Sequence, residues 1–128
     1  MIIGAHVLLY SNDPAADRAF LRDILGFKGV DAGEGWSIFA LPPAEVAVHP
    51  ANGVSPCLHG GQPLLAAVLY FMCEDVRAAV EWLAARKVSC SELVEEPWGI
   101  KTTIRLPSGG EIGLYQPTHP TPLDLARK

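Results

Sequence analysis

The chain repeats itself. At one constant offset Asp13 falls on Asp75, Ala16 on Ala78, Phe20 on Trp82 and Leu21 on Leu83, and the same offset carries Trp36 onto Trp98 and Ile38 onto Ile100. A short insertion in the second copy then shifts the register, so that Leu41-Pro42 meets Leu106-Pro107 and Glu45-Val46-Ala47-Val48 meets Glu111-Ile112-Gly113-Leu114. Any single match of this kind is cheap. Their common order along the chain identifies a duplication. At 128 residues, the whole is one ordinary domain or two small modules sharing a core.

Each copy has the same plan. An apolar strand comes first, Ala5–Tyr10 or Leu65–Met72, and ends at an acidic helix cap, Asp13 or Asp75. A carboxylate at that point accepts the orphan N–H groups of the first helical turn. Pro14 follows Asp13 at the first helical position, where a missing N–H does no harm. Apolar residues then recur at helical spacing: Ala16, Phe20, Ile24 and Phe27 in one copy, Val76, Ala79, Val80 and Leu83 in the other. Gly26 stops the first helix, and Arg86-Lys87 suit the end of the second. Short strands follow, at Phe27–Val30, Trp36–Leu41 and Glu45–His49, then at Ser89–Val94, Ile100–Leu106 and Glu111–Tyr115. The expectation is an α+β fold of two βαβββ modules, residues 1–49 and 64–117. A Pro/Gly-rich connector, 50–63, is read as an exposed loop, and a tail, 118–128, as extended unless it packs on a partner.

Composition narrows the partners. Hydrophobic residues make up 49% of the chain and charged ones 19%, with a net charge of −4, which gives no clustered basic face for nucleic acid. No apolar run has the length of a membrane span, and the first residues lack the pattern of a secretion signal. Cys57, Cys73 and Cys90 are odd in number and show no CxxC spacing, so neither a disulfide framework nor a cysteine zinc site is expected. The default reading is a cytoplasmic protein.

With its carriers HVLLYSNDPAADRAFLRDILGF, LYFMCEDVRAAVEWLAARKV, PWG and LPSGGEIGLYQP, the chain resembles the vicinal-oxygen-chelate superfamily. That group includes glyoxalase I, extradiol dioxygenases, fosfomycin-resistance enzymes and bleomycin-resistance binding proteins. The resemblance runs over about residues 3–117. It implies paired mixed sheets curved into a cup, and a homodimer in which two chains often complete the cup. Metal-dependent members hold their ion from the first and last strand of each module. Carried onto this chain, those positions are His6, Ala47, Val68 and Gly113, and only His6 has a donor atom. A catalytic divalent site usually needs about three protein ligands. Glu45 and Glu111 point to the same side as the lost ligands, but a two-residue step along a strand displaces a side chain by about 6.6 Å.

Without a metal, strand alternation leaves a cup lined by apolar and aromatic groups, the composition of a small-molecule pocket. The candidate ligand-binding residues are His6, Trp36, Glu45, His49, Tyr70, Trp98 and Tyr115, with the two indoles placed to stack on a planar ligand. No metal or other cofactor is expected. Plainer roles stand beside these: duplicated tryptophans as core plugs, His6 as a hydrogen-bonded residue, His49 and the glutamates as strand ends, and Arg105 on a solvent face. Cys73 lies near a helix N-terminus, where a thiolate is favoured, though lone cysteines are more often small buried hydrophobes. His59 and His119 fall in loops and carry little information. The leading function is a metal-free small-molecule binder of the bleomycin-resistance type. The alternatives are a divalent-metal lyase, isomerase, dioxygenase or thiol transferase working at His6, and a purely structural or interaction module.

Overall fold

The computed structural model describes Met1, residues 3–123 and Leu125. Helix α1, Pro14–Asp23, begins where the Asp13 carboxylate accepts the Ala16 N–H, with proline in its first turn. Helix α2, Val76–Ala84, is capped more completely, because one Asp75 oxygen accepts from both Arg77 and Ala78 at 3.1 Å. Gly26, at φ 74°, closes α1 in the left-handed conformation that glycine adopts without strain.

Strands β1 (Gly29–Asp31) and β2 (Ser37–Phe39) form an antiparallel hairpin. Strands β3 (Cys57–His59) and β4 (Gln62–Leu64) form another, across a Gly60-Gly61 turn with both φ positive. Two positive φ angles are what the tight hairpin turn with matching twist requires, and glycine supplies them. The connector expected to be a loop is therefore partly a hairpin. A Gly-Gly pair between short segments was the available signal. The Tyr10 hydroxyl and His59 Nδ1 hydrogen-bond each other and tie the hairpin to the first apolar segment.

The remaining strands make a mixed four-stranded sheet of order β5-β8-β7-β6: β5 Tyr70–Met72, β6 Val94–Glu96, β7 Gly99–Arg105 and β8 Glu111–Pro117. β5 runs parallel to β8, and the other pairs are antiparallel. Alternation along β7 and β8 sends Ile104, Ile112 and Leu114 to one face, where they meet Val76 and Leu83 of α2 and Phe20 of α1 in a common core. Both helices thus pack on the same sheet. Asp17 of α1, 9% exposed, fastens this arrangement. Its carboxylate accepts from the Ser11 hydroxyl at 2.6 Å and from the Ser108 backbone N–H at 3.0 Å, so neither oxygen is buried without a partner.

The two copies differ in their strands. Ala5–Tyr10 and Glu45–His49, expected as the first and last strands of the first module, belong to no ladder, and of Leu65–Met72 only the last three residues pair. Alternation defines the faces of a strand but not its neighbour, and among the described residues no strand pairs with Ala5–Tyr10, with Glu45–His49 or with 65–69. Their apolar side chains remain in solvent, with Val46 at 91%, Val48 at 90% and Val68 at 85% exposure. No helix among the described residues is long and apolar enough to cross a membrane.

Candidate ligand-binding face

The sheet face away from the helices carries the side chains that alternate with the core. The register places Tyr70 beside Gly113, Met72 and Lys101 beside Tyr115, and Thr103 across from Gly113. Trp98, in the turn from β6 to β7, joins Tyr70 and Tyr115 in a mutual edge-to-face group with ring centroids 5.1–5.8 Å apart. Such contacts place the positive edge of one ring against the negative face of another and contribute about 0.5–1.5 kcal/mol per pair beyond burial. Polar pairs flank the group. Lys101 Nζ lies 3.1 Å from Glu96 and 5.7 Å from the Trp98 ring, and the Thr103 hydroxyl donates to Glu111 at 2.8 Å.

Two glycines make room for these rings. A Cβ on Gly113 would lie 2.2 Å from the Tyr70 ring, and one on Gly99 would lie 2.9 Å from the Tyr115 ring. Gly113 is therefore more than a position without a donor. Its missing side chain is the space that Tyr70 fills.

At one end of the group the chain brings in residues remote in sequence. The Tyr115 hydroxyl is 2.9 Å from His119 Nε2, His119 Nδ1 is 2.7 Å from the Pro120 carbonyl oxygen, and the two rings stack at 29°. The carbonyl can only accept, so Nδ1 carries a proton, and in that tautomer Nε2 is the acceptor for the Tyr115 O–H. Glu45 closes the group: one oxygen accepts from the Thr121 hydroxyl at 2.5 Å, and the other lies 3.7 Å from His119 Nε2. Burial first, and the nearby Glu45 carboxylate second, push the Tyr115 phenol above its ordinary pKa. Its proton stays on, and it acts as a hydrogen-bond donor.

Of the residues singled out from the sequence, this face unites Tyr70, Trp98, Tyr115 and Glu45. Trp36 lies elsewhere, 68% exposed on the β1–β2 turn with the Arg18 guanidinium 5.6 Å from its ring, so the two indoles do not form one stacking pair. His6 and His49 are exposed on the segments outside the ladders, and among the described residues neither joins these contacts. His119, a loop residue of little information in sequence, and Thr121 were not among those candidates, yet both meet Glu45 here. The only signal available for His119 was its spacing, four residues beyond a strand tyrosine and next to a proline. Arg105 is exposed. Cys73 is not poised as a thiolate: its Sγ donates to the Tyr115 carbonyl at 3.6 Å, and burial, aided by Asp75, raises its pKa.

The family's metal positions do not fit an ion here. Ala47 and Val68 have no donor and are exposed, and Gly113 lies under a phenol ring. Among the described residues no three His, Cys, Asp or Glu side chains gather into a candidate metal group.

Fold and sequence now define the class. Residues 4–112 match the model of the Glyoxalase/Bleomycin resistance protein/Dioxygenase superfamily, and the chain belongs to that superfamily. Solved structures share its fold at low identity. TnmS3, an antibiotic binding protein from Streptomyces sp. CB03234, is 23% identical, with 92% of this chain and all of that one covered at a TM-score of 0.59. A lactoylglutathione lyase from Agrobacterium tumefaciens is 21% identical, with coverage of 89% and 92% and a TM-score of 0.57. A glyoxylase/bleomycin resistance protein/dioxygenase domain from Frankia sp. EAN1pec is 17% identical, with coverage of 91% and 99% and a TM-score of 0.53. Among curated proteins none matches the chain.

Proposed function

We propose that the protein binds a small, partly aromatic molecule on the Tyr70–Trp98–Tyr115 face and does so without a catalytic metal. The observation that carries this reading is the Tyr70 ring lying in the space of a Gly113 side chain, because a carboxylate reaching in from that position would have to displace the phenol. An apolar, aromatic face with a few placed polar groups is the usual make-up of a small-molecule site. The fold shared with an antibiotic binding protein is compatible with such a role. Fold alone does not decide function, since one scaffold hosts many chemistries.

The reading includes a homodimer. Its support is the bare apolar segments Val7–Tyr10 and Val46–Val48, whose backbone groups lack strand partners among the described residues. It also includes a reducing, cytoplasmic setting, for which the support is three free cysteines.

The test is elemental analysis of protein purified without chelator, together with a thermal-shift screen of aromatic compounds. No stoichiometric metal and a ligand-dependent rise in Tm are expected. One Zn, Ni, Mn or Fe per chain, lost together with an activity in His6→Ala, would overturn the reading in favour of a lyase, isomerase, dioxygenase or thiol transferase.

A further inference from the structure

Among the described residues, only one pair of rings is stacked rather than tilted or edge-on, and one member of that pair comes from the tail. Tyr70, Trp98 and Tyr115 turn edges to one another, whereas the His119 imidazole lies nearly parallel to Tyr115 and takes its hydroxyl proton in a hydrogen bond. A planar ring stacked obliquely against an aromatic one, with centroids 5.9 Å apart and a ring nitrogen turned to the phenol hydroxyl, is an arrangement a bound heteroaromatic molecule would share.

The way the tail is held supports the comparison. Thr118 fixes the start of the segment, its N–H donating to the Trp98 carbonyl and its hydroxyl to that of Pro97. Beyond it the chain leaves the sheet. Residues 119–121 have no ladder bonds and are fastened by side chains, through the His119–Tyr115 hydrogen bond and through Glu45, which takes the Thr121 hydroxyl on one oxygen and faces His119 with the other. Glu45 itself belongs to a segment outside any ladder. Among the described residues the closure is therefore a strap with a fixed end at Thr118, its imidazole on Tyr115 and a latch at Glu45.

We propose that this strap is an intramolecular occupant of the ligand site: His119 holds the place of the ligand's ring, and the ligand is a planar heteroaromatic with an acceptor atom for the Tyr115 O–H that enters by displacing it. The inference rests on the binding face proposed above and names the chemistry that face selects. No covalent step is involved. Entry exchanges the stack and hydrogen bond of His119 for those of the ligand. Opening the latch loses the Thr121–Glu45 bond, so weakening the latch strengthens binding.

The experiment titrates quinoline and naphthalene, two flat bicycles that differ in one acceptor nitrogen, into the full chain and follows the ring signals of Tyr70, Trp98 and Tyr115 by NMR. Quinoline is expected to bind His119→Ala about tenfold more tightly than the parent protein, and Thr121→Val, which keeps the imidazole but loses the latch, severalfold more tightly. In His119→Ala, naphthalene is expected to bind several times more weakly than quinoline. Equal quinoline affinity in all three proteins would overturn the strap while leaving the binding face standing. Naphthalene binding as well as quinoline in His119→Ala would overturn the acceptor requirement. No response of these rings to either probe in any variant would sink the binding face and the strap with it.

Discussion

The last strands of the two copies carry nearly the same sequence pattern and meet different fates. In the second copy, Glu111–Pro117 lies between β5 and β7, and Ile112 and Leu114 are buried against both helices. In the first, the matching Val46 and Val48 stand almost fully in solvent on a segment that pairs with no strand among the described residues. Both stretches alternate as a strand should, so the difference lies in what the rest of the chain places beside them. Nearness in sequence would set helix α1 on its own module's strands, but Phe20 and Asp17 attach it to the sheet of the other copy.

The comparison can be broken most directly at its matched pair. Leu114→Ala should destabilise the fold by about 2–5 kcal/mol, the range for a buried leucine. Val48→Ala should change the unfolding of the isolated chain by no more than about 0.5 kcal/mol. Urea unfolding of both variants at low protein concentration checks this, and similar losses would mean that the first copy is packed in solution. Next in size is Gly113→Glu, expected to lose about 2–3 kcal/mol through overpacking against Tyr70. Tyr70→Ala in the same chain should recover part of that loss, giving a non-zero coupling in a double-mutant cycle. Matched Ala47→Glu, on an exposed segment, should be close to neutral.

The helix caps sharpen the contrast on a smaller scale. Asp75 serves two N–H groups and Asp13 one, so Asp75→Ala should cost about 1 kcal/mol and Asp13→Ala about half that, measured by thermal unfolding. The effect of pH completes the series. Burial raises the pKa values of Cys73, Cys90 and Tyr115. The folded state therefore holds protons that the unfolded chain releases first. Stability from these groups is present below the ordinary thiol and phenol pKa values and is lost as pH rises through the raised ones. A Tm that falls at alkaline pH, with the thiols ionising later than in unfolded protein, is the expected result.

Much of the second copy was legible because its signals are local. Asp75 begins a helix wherever it precedes such a run of residues, and the periodicity of Val76, Ala79, Val80 and Leu83 marks the face it buries. Alternation and the repeat singled out Tyr70, Tyr115 and Trp98, and what the structure shows of them is that their rings meet. Trp36 was misplaced by the same repeat, since symmetry in sequence does not oblige two exposed turns to converge. The latch was illegible for another reason. Glu45 and Thr121 are far apart along the chain, and neither residue type favours the other at a distance. Their meeting depends on the path of a tail whose prolines indicate an extended chain but give no direction.

The attachment of α1 to the opposite sheet also means that the molecule cannot be divided at its point of symmetry. Cleavage in the glycine turn of the connector would yield two fragments, one lacking the sheet that shelters Phe20 and the other lacking the carboxylate that seats the backbone at Ser108. Neither piece would be a self-sufficient half. Recovery of the fold on mixing them would depend on an N-terminal fragment finding a C-terminal one, a complementation written into a single buried aspartate.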